Sequence, residues 1–223
     1  MSDKAIVAVL GGSGAEGSGL ALRIAHAGYQ VVIGSRDANR AIEAAREIAE
    51  HAKGAKVSGT DNLSAARQAE LVILTVPWSA QRSTLENVKD ALAGKILVDV
   101  TVPLVPPKVN RVQLPAEHSA AVGAQMLLGE QVRVVSAFQN VSAHQLKHLD
   151  HEVNCDVLVC GDDKDAREVV VQLAKDAGMR AWHAGSLANS VASEALTSVL
   201  IFLNQRYKSP GSGIRITGLP DNA

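Results

Sequence analysis

The residues of this chain best suited to chemistry lie near its start. Gly12, Gly14 and Gly17 form a GxGxxG pattern within Val7-Ala8-Val9-Leu10-Gly11-Gly12-Ser13-Gly14-Ala15-Glu16-Gly17. An apolar run precedes the pattern and helical residues, Leu20–Ala27, follow it. In that setting the first glycine permits a tight turn and the second lets a pyrophosphate reach the backbone. The third lets the helix pack against the strand. The helix start then offers free N–H groups and a positive dipole end to the phosphates. The pattern predicts a dinucleotide site.

The end of the next apolar run predicts which dinucleotide. An NAD site places Asp or Glu there to hold the ribose hydroxyls. This chain reads Val32-Ile33-Gly34-Ser35-Arg36, with Arg40 one helical turn further on. Ser35 can donate to a 2′-phosphate, and Arg36 and Arg40, four apart, can clamp it from one side. Asp37 stands close by, and the competing reading makes the two arginines a solvated helix start, with Arg40 pairing Glu43 or Glu47. The strand-end position favours the clamp, so NADP is the expected cofactor. Further along, Leu71-Val72-Ile73-Leu74-Thr75-Val76-Pro77-Trp78 is an apolar run halted by a Pro and a Trp. Val76 and Trp78 are candidate walls of the cofactor cleft.

Positioning these residues requires strands and helices in alternation. Strands are expected at Ala5–Leu10, Tyr29–Ile33, Lys56–Gly59, Leu71–Thr75, Ile96–Val100, Val132–Ala137, Asp156–Cys160 and Arg180–His183. They read as Val/Ile-rich runs covered on both faces. Helices are expected between them, for example Ala38–His51, Ala80–Leu92, Ala166–Ala177 and Ala192–Gln205. Gly28, Gly94 and Gly178 stand where left-handed C-caps are wanted. Pro103, Pro106 and Pro107 enforce a rigid loop after Val100. The repetition predicts an α/β protein with a Rossmann-type doubly wound parallel sheet. Residues 1–140 would form the NADP-binding domain. Residues 141–223, joined through Val141–His151, would form a smaller C-terminal α/β unit completing the substrate cleft. The tail from Ser209 reads as irregular.

Composition narrows the field. In 223 residues, 22 Lys+Arg face 23 Asp+Glu, and 47% are hydrophobic but only 3% aromatic. A net charge of −1 gives no basic groove for nucleic acid, and few aromatics are available to stack on bases. The apolar fraction argues against disorder. Cys155 and Cys160, five apart, form neither a zinc pattern nor a disulfide framework. The N-terminal apolar run is too short to cross a membrane, so a cytoplasmic protein is expected.

Acid–base chemistry lacks obvious carriers. No Tyr-xxx-Lys occurs, and Lys175 and Asp176 read as surface charge. His144, His148 and His151 share a helical face but no further metal ligand accompanies them. With no evident catalytic side chain, the second substrate is expected to be another redox cofactor taking hydride directly between stacked rings. Such transfer needs positioning and exclusion of water. Cleft walls would come from 102–106, 136–143 and 184–190, each after a strand. The alternatives are an NADP-dependent reductase of another flavin, a reductase of a small imine or carbonyl using Lys108, His118 or His183 as donor, or a non-catalytic NADP(H) sensor.

These residues resemble the F420H2:NADP oxidoreductases, also called NADPH-dependent F420 reductases. The likeness runs through Leu10-Gly11-Gly12-Ser13-Gly14, Gly34-Ser35-Arg36, Leu74-Thr75-Val76-Pro77-Trp78, Pro103-Leu104-Val105-Pro106, Val159-Cys160-Gly161-Asp162-Asp163, Ala184-Gly185-Ser186-Leu187-Ala188-Asn189-Ser190 and Gly213-Ile214-Arg215-Ile216. It implies a homodimer passing hydride between C5 of the deazaflavin coenzyme F420 and C4 of nicotinamide. Ser13, Gly14, Ala15 and Glu16 would hold the pyrophosphate, and Ser35, Arg36 and Arg40 the 2′-phosphate. Val76, Trp78, Val105 and Ala143 would line the NADP cleft, and Ser212 would give F420 a backbone contact. Arg206, Lys208 or Arg215 would meet the charge of the F420 tail. Where the family can carry His, this chain has Gln139-Asn140 and Ala80.

Overall fold

Apolar runs and helical patterns alternate along the chain because each strand must be covered on both faces. The computed structural model describes residues 4–150 and 152–219. The strands are β1 (Ile6–Leu10), β2 (Gln30–Ser35), β3 (Val57–Asp61), β4 (Leu71–Leu74), β5 (Ile96–Asp99), β6 (Arg133–Ser136), β7 (Asp156–Gly161) and β8 (Arg180–His183). The helices are α1 (Ala15–His26), α2 (Ala38–His51), α3 (Asn62–Gln68), α4 (Trp78–Val88), α5 (Ala120–Leu128), α6 (Ala143–Leu146), α7 (Lys164–Asp176) and α8 (Ser190–Tyr207).

The strands join in the order β3-β2-β1-β4-β5-β6-β7-β8. Val7 stands between Val31 and Leu71, so the order reverses beside β1, opening a crevice at the carboxyl ends of β1 and β4. Strands β1 to β6 pair in parallel. The β6–β7 pair is antiparallel, Val135 against Gly161, and β8 is again parallel to β7. Two apolar layers hold the sheet. Leu20, Ile24, Ile48, Val170 and Leu173 of α1, α2 and α7 cover one face. Ala65, Leu85, Val88, Ala124 and Leu128 of α3, α4 and α5 cover the other.

All eight expected strands are present, their ends displaced by two residues at most and β8 matching its expected bounds. Burial on both faces fails at the outer strand β3, where Ser58 is exposed, because an edge strand has a neighbour on one side only. Gly28, Gly94 and Gly178 have φ of 88°, 76° and 80°, the left-handed conformation expected at helix ends. Asp176 is no idle surface charge. It accepts hydrogen bonds from Lys4 Nζ at 2.7 Å and Tyr29 Oη at 2.8 Å, tying α7 to the chain around β1 and β2.

Helix α1 is buried on most of its circumference, including Arg23, which is only 5% exposed. Its guanidinium donates to the carbonyls of Leu146 (3.0 Å), Gln145 (3.2 Å) and His148 (2.7 Å), and more weakly to that of Ala177. These are the free carbonyls around the ends of α6 and α7, where a cation is favoured. One side chain thus fixes the first helix against the C-terminal third of the chain.

Candidate functional site

The glycine turn is built as the spacing requires, with one correction. The left-handed residue is Gly11, at φ 78°, rather than Gly12. A side chain on Gly12 would instead lie 2.7 Å from the Val9 carbonyl. One on Gly17 would run into Thr75 Oγ1 and stand 2.8 Å from the Gly11 carbonyl, so α1 sits close against the turn. At Gly14, which caps α1, an added Cβ meets only the Gly11 carbonyl at 3.3 Å. That open side beside the helix N–H groups fits an approaching diphosphate.

At the end of β2, Ser35 is buried and its Oγ accepts from Asp37 N at 3.2 Å, leaving the hydroxyl proton free to donate. Arg36 and Arg40 are exposed. Among the described residues no carboxylate pairs with either, so the competing arrangement, Arg40 paired with Glu43 or Glu47, is not formed. Asp37 turns onto its own helix and caps α2 by accepting from Asn39 N at 3.0 Å. A carboxylate that could repel a 2′-phosphate is thereby engaged elsewhere. The arrangement fits NADP(H).

A cleft of about 690 Å³ opens next to the turn, at the carboxyl edge of the sheet. One wall is Gly14, Ala15 and Glu16; another is Val76, Pro77 and Trp78; Val102, Leu104 and Val105 form a third. Phe138, Gln139 and Val141 lie behind them, and Thr197 of α8 closes the rim. The volume lies within the usual range for small-ligand pockets. Of the expected residues, Gly14, Ala15, Glu16, Val76, Trp78 and Val105 are therefore gathered in one cleft. Ser13 and Ala143 are partly exposed but outside this lining. Ser212 is also outside it, and its N–H already donates to Asn204 Oδ1 at 2.8 Å. Arg215 faces Asn154 and Asp156, whereas Arg206 and Lys208 remain exposed.

The segment carrying Gln139 is a buried strut. Phe138 is fully buried at φ 73°, a costly conformation for a bulky residue. Gln139 Nε2 donates to the Asp99 carbonyl (2.8 Å) and Ser136 Oγ (2.7 Å), and its own carbonyl accepts from Thr197 Oγ1 (2.7 Å). Asn140 Nδ2 donates to the Asp156 carbonyl at 2.8 Å. Ala80 is half-buried in the first turn of α4, outside the cleft lining. Lys108, His118 and His183 do not line the cleft, and His183 instead pairs with Glu168 at 3.0 Å. The His144 and His148 rings are in contact, tilted 53° to each other with centroids 5.1 Å apart. His151 lies outside the described residues, and among those described no group of three metal-ligating side chains forms.

Sequence reasoning missed the carboxyls beneath this cleft. Asp99 is fully buried, accepting from Thr101 N (2.9 Å), Thr101 Oγ1 (2.7 Å) and Gln81 Nε2 (2.5 Å). Glu194 reaches from α8 to the start of α5, accepting from Ala120 N (2.7 Å) and Ala121 N (3.1 Å). An Asp ending the apolar run Ile96-Leu97-Val98 was the available signal for the first; nothing local marked the second. Burial pushes Asp99 up to about 6 and Glu194 to about 7 despite these donors. Both bind protons more tightly folded than unfolded, so between pH 5 and 8 the folded chain holds the excess, and stability falls as pH rises. Thermal melts are expected to show a Tm about 5 °C lower at pH 8 than at pH 5.5. Glu194→Gln should reduce that slope, and a Tm that rises with pH would contradict the assignment.

Comparison with known proteins agrees with this geometry. Residues 6–103 match the family described as NADP oxidoreductase coenzyme F420-dependent. The chain is 44% identical over 221 residues to the F420-dependent NADP reductase of Methanocaldococcus jannaschii, covering 96% of this chain and 98% of that protein. It is also 44% identical to the enzyme of that name from Methanothermobacter marburgensis, over 96% and 99% of the two chains. Among solved structures, a hypothetical protein of Sinorhizobium meliloti superposes with a TM-score of 0.67 at 21% identity, over 85% and 86%. A pyrroline-5-carboxylate reductase of Coxiella burnetii gives 0.60 at 17%, over 92% and 69%. These two likenesses concern the fold alone.

Proposed function

Since this chain belongs to the family of F420-dependent NADP reductases, we propose that it passes hydride between NADP(H) and coenzyme F420 by direct transfer between the two rings. The reading rests on 44% identity over nearly the whole of both chains. A mostly apolar cleft beside an open glycine turn supports it. Gly12, Gly14 and Gly17 shape the diphosphate cradle, with the backbone of Ser13, Ala15 and Glu16 facing the phosphates. Ser35, Arg36 and Arg40 take the 2′-phosphate. Val76, Trp78 and Val105 line the NADP cleft, with Ala143 and Ser212 outside that lining. The bound pair supplies the redox chemistry. The protein aligns the rings and keeps water out, which carries most of the rate in a transfer of this kind.

Residues 1–140 serve as the NADP-binding unit. Residues 141–223 complete the cleft, since Thr197 reaches its rim and Glu194 braces α5. The active form is a cytoplasmic homodimer. Supporting the dimer, Val199 and Phe202 of α8 are 45% and 51% exposed. The span Leu187–Tyr207 is apolar enough to cross a membrane by length and composition, yet is only partly buried. Mixing the protein with NADPH and F420 is expected to bleach F420 absorbance while oxidising NADPH. Reduction of imines or of FMN in place of F420 would overturn the reading.

A further inference from the structure

Glu16 is the one ionisable side chain among the residues lining the cleft. Its Oε1 is buried without a hydrogen-bond partner among the described residues. Resting on the function proposed above, we propose that Glu16 is the proton-holding residue of this cleft: a neutral carboxylic acid that gives up its proton as hydride leaves the nicotinamide, and recovers it in the reverse direction.

The need for such a group follows from the reaction's balance. A C4–H bond of the dihydronicotinamide breaks with its electron pair and a C5–H bond forms on the deazaflavin. The reduced deazaflavin also gains a proton at N1. That proton leaves a Glu16 oxygen, and water at the cleft mouth restores it to the carboxylate. The change of charge runs the right way. Hydride loss leaves the nicotinamide positive, which favours the carboxylate and releases the proton when it is required.

Burial alone pushes the Glu16 carboxyl up to about 8. Its place in the first turn of α1 favours the ionised form, but only by a modest dipole effect. An incoming diphosphate, itself negative, would favour the neutral acid further. Among the described residues no ion pair to the Glu16 carboxyl is formed. Arg23 in the same helix is held by the carbonyls near α6. The charged groups on the elements beside α1 are Arg40, Glu43, Arg46, Glu47 and Glu50 of α2, the neighbouring Arg36 and Asp37, and His144 on α6, and the cause of the raised value is desolvation. Asp99 at the end of β5 is engaged by Gln81 and Thr101.

Two measurements on the full chain test this. Carbon-13 NMR of glutamate-labelled, ligand-free protein should show a carboxyl titrating between pH 7 and 9 that disappears in Glu16→Gln. Glu194→Gln, which removes the other raised glutamate, should leave that resonance in place. With NADPH and F420, the wild type should lose kcat as pH passes that value, whereas Glu16→Gln should be about 100-fold slower and flat with pH. Its NADP Kd, read by tryptophan fluorescence, should stay within threefold of wild type. A Glu16 titrating near pH 4.5, or a Glu16→Gln enzyme with wild-type kcat and pH profile, overturns the proposal. Absence of F420 turnover in the wild type would strike the functional reading instead, leaving the NMR titration to judge Glu16.

Discussion

Replacing Arg36 and Arg40 together by Ala should raise the KM for NADPH by about 100-fold or more, while the KM for NADH changes by less than threefold. The magnitude comes from charge-assisted hydrogen bonds, worth about 1.5–3 kcal/mol each, to a group that NADH lacks. The structure leaves both guanidiniums exposed and, among the described residues, without a carboxylate partner at the end of β2, and Asp37 is turned onto Asn39 N. Removing them therefore breaks no structural link, and thermal stability should hold. Steady-state kinetics with both cofactors checks the result. An equal loss for NADH and NADPH would refute the phosphate clamp.

Asp156→Ala is expected to have the largest effect on stability. Asp156 is fully buried and organises four groups around one carboxylate. Oδ2 accepts from Trp182 Nε1 at 2.9 Å and from Ile216 N at 2.8 Å. Oδ1 lies 3.2 Å from Arg180 Nε and 3.3 Å from Arg215 Nη1. It therefore ties β7, β8 and the chain after α8 into one unit. Truncation strips the acceptor from two N–H groups and the counter-charge from two cations, at a cost of about 3–5 kcal/mol. For a chain of this size that is a fall in Tm of about 10 °C. Asp156→Asn, which keeps an acceptor, should lose less. Limited proteolysis should cut the tail beyond Lys208 first in the Ala variant. A melt within 2 °C of wild type would show that the carboxylate does not hold this region together.

These two sites were unequally visible in the sequence. The proposed clamp could be read because specificity at a dinucleotide site depends on a fixed offset from the glycine turn, and Ser35-Arg36 stands at that offset. The Asp156 knot could not, since its partners at positions 180, 182, 215 and 216 are brought together only by pairing β7 with β8 and folding the tail back. Lys108, His118 and His183 looked like donors by residue type, yet their elements carry them away from the cleft lining.

The order of strands and helices, the positions of the capping glycines and the dinucleotide turn followed from local rules: apolar periodicity, conformational freedom at glycine and the reach of a few neighbouring residues. Tertiary packing decided which carboxyls leave water. Glu16 reads in sequence only as part of the phosphate turn, and Asp99 and Glu194 as ordinary acids. Their altered proton affinities arise from walls contributed by distant segments, because desolvation depends on everything that surrounds a group and sequence distance carries no record of it.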